Sequence, residues 1–422
     1  MSKLDELIQE YCPDGVEYKR ISELFNTKNG YTPSKSNPEF WSNGTVPWFR
    51  MEDIRENGRI LSKATQYVSE SALKGVPFPA NSIIVATSAT IGEHALITVP
   101  SIANQRFTYL MLKDQYKNMF NAKFLYYYCF KLDDYCKECL NQGNFASVDM
   151  KKFTKFEFPL VPMPVQSEIV RILDNFTELT AELTAELTAR KKQYEFYRDK
   201  LLTFDITIKH VRLGDICSVI TKGTTPRSYT KTGISFVKTE AFDGTGIVPE
   251  KLSYVDEETH TTFLKRSILE ENDILVTIAG ATIGKCAIVP KEILPANTNQ
   301  ALAIIRLAKG NSPKYVMYLL QSDLMKQYMQ KNIKGSAQPN LNLKQLNDFV
   351  IPLPQLSVQE RLVQVLDNFD TICSDLKIGL PAEIDARQKQ YEFYRDALLT
   401  YAATGKTILA DRQTDRQTSI MR

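Results

Sequence analysis

A fifteen-residue stretch that occurs twice constrains the fold of this chain more than any other feature. It begins at Arg190 and again at Arg387, and twelve of its fifteen positions are identical in the two copies, RKKQYEFYRDKLLTF and RQKQYEFYRDALLTY. A shorter motif, Leu-Asp-Asn-Phe, precedes each copy at Leu173–Phe176 and Leu366–Phe369. A repeat about half a chain apart indicates a duplicated domain rather than a solenoid of short units.

The region around the first copy predicts one long helix. Its apolar or long amphipathic side chains recur at intervals of three and four residues. They are Ile169, Leu173, Phe176, Leu183, Leu187, Tyr194, Tyr197 and Leu201, and Thr180 and Arg190 occupy the two remaining positions of the pattern. Neither Gly nor Pro interrupts the pattern between Gln166 and Leu201. A heptad pattern sustained over more than four heptads indicates a coiled-coil helix.

The region around the second copy has a similar pattern, at Leu362, Leu366, Phe369, Leu376, Leu380, Ile384, Tyr391, Tyr394 and Leu398. Gly379-Leu380-Pro381 interrupts this pattern, and Pro381 suits the first turn of a resumed helix. Two similar helices bury their apolar seams most simply against each other. We therefore expect an antiparallel pair, which would place two globular domains at opposite ends.

Short apolar runs separated by turn residues precede each long helix. In the first half they predict a helix over about 122–140 and strands at Val46–Phe49, Ser82–Ala86 and Phe107–Leu112. The second half repeats the order of elements, and Ala89–Gly92 has the same sequence as Ala281–Gly284. The predicted fold class is α+β: two mixed α/β domains separated by two long antiparallel coiled-coil helices, with a pseudo-two-fold internal repeat.

These patterns divide the chain into five predicted segments. They are a first globular domain (1–163), a central spacer helix (164–205), a second globular domain (206–353), a distal spacer helix (354–404) and a disordered tail (405–422). The tail is assigned to disorder because it is polar and contains Asp-Arg-Gln-Thr twice in succession.

Composition narrows the functional classes. The formal net charge of +3 does not by itself indicate a nucleic-acid-binding protein, although it leaves the chain free to approach DNA. No apolar run reaches the length of a membrane helix and no signal peptide is recognisable, so we expect a cytoplasmic protein. Cys136 and Cys139 form a lone CxxC in a chain with three histidines, so we expect these thiols to fill a core and predict no metal site.

Two short fragments suggest an adenine methyltransferase as an alternative. Phe242–Gly246 fits the FxGxG loop that holds S-adenosylmethionine, and Asn37–Phe40 differs by one residue from the catalytic NPPF motif. Against this, Glu39 stands where the motif has proline, and the counterpart of the first fragment, Ile54–Gly58, looks like an ordinary Asn-Gly turn. A coiled-coil scaffold without DNA binding is a second alternative.

The loops of both globular domains carry side chains that suit DNA recognition. Arg and Lys can bind guanine edges, Asn and Gln can bind adenine edges, and Ser and Thr can bind phosphates. The candidates in the first domain are Thr32, Ser34, Lys35, Arg50, Thr87, Ser88, Gln105 and Arg106. The candidates in the second domain are Thr224, Thr225, Arg227, Lys238, Thr277, Asn297, Thr298 and Asn299.

Taken together, the chain resembles the DNA-specificity subunits of type I restriction–modification systems over essentially its whole length. The resemblance rests on the duplicated helical motifs, the Gly223–Pro226 loop, the Ile351–Pro354 segment and the tandem tetrads Thr180–Leu183 and Thr184–Leu187, both Thr-Ala-Glu-Leu. In the IC-type members of that family, the number of such tetrads sets the spacing between two DNA half-sites.

The resemblance implies a non-catalytic subunit. Each globular domain would be a target-recognition domain for one half of an interrupted DNA sequence. The helices would set the spacer and dock two modification subunits, which bind S-adenosylmethionine and methylate adenine, while restriction subunits that use ATP could join the complex. The residues expected to serve the spacer and subunit docking are Leu173, Phe176, Leu183, Leu187, Tyr194, Tyr197, Leu366, Phe369, Tyr391 and Tyr394.

Overall fold

The computed structural model describes residues 2–141, 146–205, 207–244, 246–280, 282–333, 340–374 and 379–404. The chain forms two compact units: the first contains residues 1–181 and 386–422, and the second contains residues 182–385. These units cut across the five predicted segments because each unit combines a globular part with parts of the long helices. The predicted disordered tail and Leu376 lie outside the described residues.

Ten strands lie in the described residues of the first unit. They are β1 (Tyr18–Arg20), β2 (Phe25–Asn29), β3 (Val46–Phe49), β4 (Ile60–Leu61), β5 (Tyr67–Val68), β6 (Ser82–Ala86), β7 (His94–Ile97), β8 (Ile102–Ala103), β9 (Phe107–Leu112) and β10 (Glu157–Pro159). The predicted strands β3, β6 and β9 have the predicted bounds. Every residue of β6 is buried, as expected for an apolar run in the middle of a sheet.

The first unit also contains several helices. They are α1 (Lys3–Tyr11), α2 (Ile21–Leu24), α3 (Met51–Asn57), α4 (Ala122–Glu138), α5 (Met150–Phe153) and the start of α6 (Met163–Leu201). Helix α4 is the helix predicted over 122–140, and it packs on β7. Cys136 and Cys139 are free thiols buried in this region, as predicted for core residues.

In the second unit, the part of the chain that the structure describes forms eleven strands. They are β11 (His210–Arg212), β12 (Cys217–Lys222), β13 (Ile234–Val237), β14 (Phe242–Asp243), β15 (Gly246–Ile247), β16 (Ser253–Val255), β17 (Ile274–Thr277), β18 (Cys286–Ile288), β19 (Ala296–Thr298), β20 (Leu302–Leu307) and β21 (Val350–Pro352). The helices that follow the central one in the chain are α7 (Glu257–Thr261), α8 (Pro313–Gln321), α9 (Asp323–Asn332), α10 (Leu343–Asp348), α11 (Leu356–Ser374) and α12 (Leu380–Thr404). Most of α12, from Ala386 onward, belongs to the first unit.

The internal repeat is confirmed by the topology of the sheets. The order β2-β9-β6-β7 in the first unit corresponds to β12-β20-β17-β18 in the second, and β5-β3-β8 corresponds to β16-β13-β19. Both three-stranded sheets combine one antiparallel and one parallel pair. The first unit adds β4 at the edge of its larger sheet, parallel to β7.

Helix α6 is a single helix of 39 residues, as the uninterrupted heptad pattern predicts. In the first unit Phe176 on α6 stacks on Tyr394 of α12, and in the second unit Tyr197 on α6 stacks on Phe369 of α11. Burial raises the pKa of Cys373, and the nearby charges of Lys191 and Arg190 oppose this effect. Cys373 follows Phe369 whereas Lys191 precedes Tyr197, so residue numbers run in opposite directions along α6 and α11. The helices therefore pair in antiparallel fashion within the second unit.

The segment predicted as the distal spacer helix, 354–404, contains the two helices α11 and α12. Pro381 lies in the first turn of α12, as predicted. Proline is tolerated at this position because the amide groups of the first turn have no partner inside the helix. No helix in the described part of the chain carries an apolar stretch long enough to cross a membrane.

Candidate nucleic-acid interface

A glycine at matched positions in the two units brings one loop against a neighbouring loop. A side chain at Gly30 would collide with the backbone carbonyls of Ala103 and Asn104, and a side chain at Gly223 would collide with those of Thr298 and Asn299. The residues that follow these glycines bind the same backbone, because Tyr31 N donates to Ala103 O at 2.7 Å and Thr224 N donates to Thr298 O at 2.9 Å. The sequence therefore builds the same pair of adjoining loops twice.

In the first unit these loops bring together candidates that are far apart in the sequence. Thr32 Oγ1 donates a hydrogen bond of 2.5 Å to Gln105 Oε1. Trp41 Nε1 donates to the carbonyl oxygen of Ser34 at 3.1 Å, which ties the backbone of the first loop to the residues that follow it. Ser34, Lys35, Gln105 and Arg106 are exposed, so this edge of the unit presents both charged and neutral polar groups.

Arg50 is positioned by a buried carboxylate at the start of α3. Asp53 is fully buried, and its Oδ2 accepts from Arg50 N at 2.7 Å. Its Oδ1 accepts from the backbone and hydroxyl of Thr65 at 2.6 and 2.7 Å. The Arg50 guanidinium donates to Thr65 Oγ1 at 3.0 Å and lies 5.4 Å from the ring of Trp48. These contacts hold a half-buried guanidinium in one orientation, as base recognition requires.

In the second unit the corresponding cations lie on aromatic rings. Lys238 Nζ is 3.9 Å from the centroid of Tyr229, and the Arg227 guanidinium is 5.6 Å from that of Phe263. Tyr229 is 43% exposed and Phe263 is 48% exposed, so the rings face solvent beside the cations. Neither ring was predicted. The sequence offered a signal for Tyr229, an aromatic residue two positions after Arg227, and none for Phe263.

Burial corrects four of the predicted DNA contacts. Thr87 donates to or accepts from Thr108 at 2.9 Å, and Thr298 Oγ1 donates to the carbonyl oxygen of Val237 at 2.9 Å. The side chains concerned lie inside their units and cannot touch DNA there: Thr87, Thr277, Asn297 and Thr298. The remaining candidates stay predictions.

Asn297 has an internal role. Its Oδ1 lies 2.6 Å from His260 Nδ1, and its Nδ2 donates to the carbonyl oxygen of Leu264 at 3.1 Å. The amide side chain therefore joins β19 to the end of α7 and the residues that follow it. By contrast Asn299 is half-buried at the loop, where its Oδ1 accepts from Ala301 N at 3.1 Å, and Thr224, Thr225 and Ser88 also lie at least partly exposed.

The residues predicted for subunit docking fall into two groups. The buried members pack inside their own unit and are placed to hold the long helices there, which is the spacer part of the predicted role: Leu173, Leu366, Tyr194 and Tyr391. The partly or largely exposed members stay predictions: Phe176, Leu183, Leu187, Tyr197, Phe369 and Tyr394. Phe196 was not predicted, although the repeated motif contains it, and it is 61% exposed on α6.

A matched carboxylate fastens each globular part to a long helix. In the first unit Asp174 on α6 accepts from Lys123 Nζ at 2.6 Å and from the hydroxyl of Tyr127 at 2.7 Å, both on α4. In the second unit Asp367 on α11 accepts from Lys314 Nζ and from the hydroxyl of Tyr318, both at 2.6 Å and both on α8.

These contacts keep the tyrosine hydroxyls protonated. Burial, followed by the bond to Asp174, raises the pKa of Tyr127 well above its usual value. Burial and the bond to Asp367 raise the pKa of Tyr318 in the same way. Each hydroxyl therefore remains a hydrogen-bond donor, because the carboxylate stabilises its neutral form.

The two fragments that suggested a methyltransferase have ordinary local structures. Asn37 caps a single 3₁₀ turn over Pro38–Phe40, where its Oδ1 accepts from Glu39 N at 3.1 Å. Phe242 and Asp243 pair with Gly246 and Ile247 in a small hairpin. The counterpart Ile54–Gly58 was wrongly expected to be a turn. Its first four residues belong to α3, and Gly58 follows the helix with a positive φ of 78°.

Comparison with known proteins finds one family for both halves of the chain. The family model described as the type I restriction modification DNA specificity domain matches twice, over residues 13–190 and 206–386. The chain is 41% identical over 401 residues to the type I restriction enzyme EcoprrI specificity subunit of Escherichia coli, covering 89% of this chain and 93% of that relative. It is 32% identical over 250 residues to the EcoR124I/EcoR124II specificity subunit of the same species, covering 58% of this chain and 61% of that relative.

A solved structure supports the fold. The matched chain comes from a study of complex assembly and conformational transition of the type I R-M system. The match has a TM-score of 0.62 and 18% sequence identity, and it covers 93% of this chain and 98% of that chain. The double match of the family model covers most of the sequence, and each match contains one of the two repeated halves. The chain belongs to the family of type I restriction–modification DNA-specificity subunits.

Proposed function

We propose that this chain is the DNA-recognition subunit of a type I restriction–modification complex and that each unit binds one half of a bipartite DNA site. The observation that carries the proposal is the pair of adjoining loops at Gly30 and Gly223, built twice by the same backbone contacts. A scaffold without DNA binding gives no reason to keep this loop geometry in both units while the side chains around it differ.

The side chains around the two loops suit different base sequences. The first unit presents Arg50 on Trp48 and Gln105 beside Thr32. The second unit presents Lys238 on Tyr229 and Arg227 on Phe263. Because arginine and lysine favour guanine edges and glutamine favours adenine edges, unlike surfaces on one scaffold would recognise two unlike half-sites.

Helix α6 would set the distance between the half-sites. Each Thr-Ala-Glu-Leu tetrad adds roughly 6 Å of rise and a net rotation of about 40° to an α-helix. One base pair of DNA adds about 3.4 Å and about 35°. The rotations agree well and the rises agree loosely, so one tetrad would retune the spacer by about one base pair.

The long helices would also dock the modification subunits. Phe196 exposes an aromatic ring on α6, and exposed aromatic side chains are enriched in protein interfaces. Two modification subunits would bind S-adenosylmethionine and methylate adenine, and restriction subunits would use ATP. The complex would act on double-stranded DNA in a prokaryotic cytoplasm, and this chain would contribute no catalytic residue.

An exchange of one globular part tests the proposal. Residues 20–158 are replaced with those of a relative, and the variant is expressed with its modification subunits in cells whose methylated adenines are then sequenced. One half-site should change while the other half-site and the spacer stay as they were. A change in both half-sites would overturn the proposal, and so would binding of S-adenosylmethionine by the purified chain alone.

A further inference from the structure

The two carboxylates that fasten the globular parts to the long helices occupy equivalent positions in the repeated Leu-Asp-Asn-Phe motif. We propose that Asp174 and Asp367 are positioning residues that determine how strictly the complex selects the length of the DNA spacer. This inference rests on the proposed function, because it concerns how the recognition loops of each unit are held. Neither residue lies among the loop residues proposed to contact DNA.

Each carboxylate accepts from two side chains one helical turn apart. Lys123 and Tyr127 are four residues apart on α4, and Lys314 and Tyr318 are four residues apart on α8. Side chains at this spacing lie on one face of a helix and can converge on one acceptor. A bond from an ammonium group and a bond from a hydroxyl, both to one carboxylate, strongly restrict the direction of the approaching helix.

A glutamine provides a second attachment eight residues before each carboxylate. Gln166 Oε1 accepts from Asn121 N at 2.8 Å, at the start of α4. Gln359 Oε1 accepts from Ser312 N at 3.0 Å, at the start of α8. Eight residues of helix span about 12 Å, so each globular part is attached to its long helix at two separated points. Two such points resist rotation, whereas one point would act as a pivot.

The attachment continues rigidly from the helix to the recognition loops. Helix α4 packs on β7, and β7 belongs to the sheet whose strands β2 and β9 flank the loops near Gly30 and Gln105. Helix α8 packs on β18 in the same way. A small rotation at Asp174 or Asp367 is therefore transmitted to the loops of that unit. The carboxylates control the phase in which the loops meet the DNA groove, and the helix length controls the distance.

The test uses the full chain with its modification subunits in cells that carry a library of sites. The library keeps both half-sites and varies the spacer by one base pair in either direction. Asp174→Asn and Asp367→Asn keep the shape of the side chain and remove its charge. Methylation of the sites with altered spacers, relative to the preferred spacer, should rise about tenfold, which corresponds to the loss of one charge-assisted hydrogen bond. The half-site sequences should stay unchanged.

A second variant and a matched control separate positioning from stability. Tyr127→Phe removes only the hydroxyl and should cause a smaller rise in the same direction. Asp114→Asn removes an exposed ion pair with Lys117 in the first unit and should leave the spacer preference unchanged. A uniform fall of methylation at every spacer, or an unchanged preference in both aspartate variants, would overturn the inference. Absence of a bipartite pattern in the wild-type protein would instead overturn the proposed function.

Discussion

Phe176 and Tyr394 stack with their ring centroids 5.6 Å apart and their planes at 22°. Tyr197 and Phe369 stack in nearly the same way, with centroids 6.1 Å apart and planes at 21°. Each stack joins the Leu-Asp-Asn-Phe motif of one half of the sequence to the longer repeated motif of the other half. The two compact units are thus completed by an exchange of motifs within one chain.

Removing one ring of a stack should destabilise the unit that contains it. Phe176→Ala should lower the free energy of unfolding by about 1–3 kcal/mol, because the ring is partly buried and pairs with another ring. Denaturant unfolding followed by circular dichroism would measure the change. Phe196→Ala on the same helix is the matched control and should have almost no effect, since that ring is exposed. An equal loss of stability in both variants would contradict a stabilising role for the stack of Phe176 on Tyr394.

Deleting the tetrad Thr184–Leu187 should shorten the preferred spacer by about one base pair, because helix α6 would lose about 6 Å and rotate by a net 40° or so. Sequencing of methylated adenines in cells that also express the modification subunits would show the new spacing. Both half-site sequences should remain as they were. An altered half-site would show that the tetrad does more than set the spacing.

Arg50→Lys should relax recognition at one base pair of a single half-site. Lysine cannot reproduce the planar guanidinium that Thr65 and Trp48 hold in place, and a bidentate contact to guanine contributes about 1–3 kcal/mol of discrimination. Methylation of sites with each base at that position would measure the loss. Arg55→Lys, on the exposed side of α3, is the control. Loss of discrimination in both half-sites would exclude a local role for Arg50.

Asn297→Ala should affect stability without changing the DNA sequence that is methylated. The variant would leave His260 Nδ1 without the amide oxygen of Asn297, and an unsatisfied buried polar group costs about 1–3 kcal/mol. The carbonyl oxygen of Leu264 would lose the amide but keep the bond from Ser267 N at 2.8 Å. Thermal unfolding would report the destabilisation, and methylated-adenine sequencing would report specificity. A shift in the half-site with unchanged stability would restore Asn297 as a DNA contact.

Glu168 should make the protein more stable above its unfolded pKa than below it. The bond from Arg171 lowers the pKa of Glu168 from 4.5, burial opposes this effect, and the bond from Lys3 adds to it. Because the folded pKa is the lower one, the stabilisation is present above about pH 4.5 and is lost as the pH falls through the folded pKa. The difference in urea midpoint between wild type and Glu168→Gln should therefore shrink under acid conditions. A difference that stays constant into strong acid would contradict this.

The repeat and its periodicities were sufficient to predict the architecture. Strands such as Ser82–Ala86 are short apolar runs between turn residues, and the long seam of α6 fits no other element. The division into compact units was harder to predict from the sequence, because it depends on which globular part each stretch of helix packs against. A heptad pattern identifies an apolar face and leaves its partner open.

The candidate site was only partly predictable for a related reason. Residue type suggested that Asn297 and Thr298 could bind DNA, yet both lie on β19, where the strand turns these polar side chains into the interior. Conversely, Tyr229 and Phe263 are aromatic residues that composition assigns to a core. Both rings are instead exposed, with the cations of Lys238 and Arg227 lying on them, and this depends on the folding of the loops that carry them.

Because of this exchange of motifs, a truncation late in the gene affects the folding of the amino-terminal part of the protein. Tyr391 and Leu399 belong to the core of the first unit, together with Leu4 and Ile8 near the amino terminus. A stop codon shortly before Ala386 would leave the entire first globular part translated and yet deprive it of the helix that closes its core. Such a product should fold incompletely and be degraded by proteases, although its amino-terminal sequence is correct.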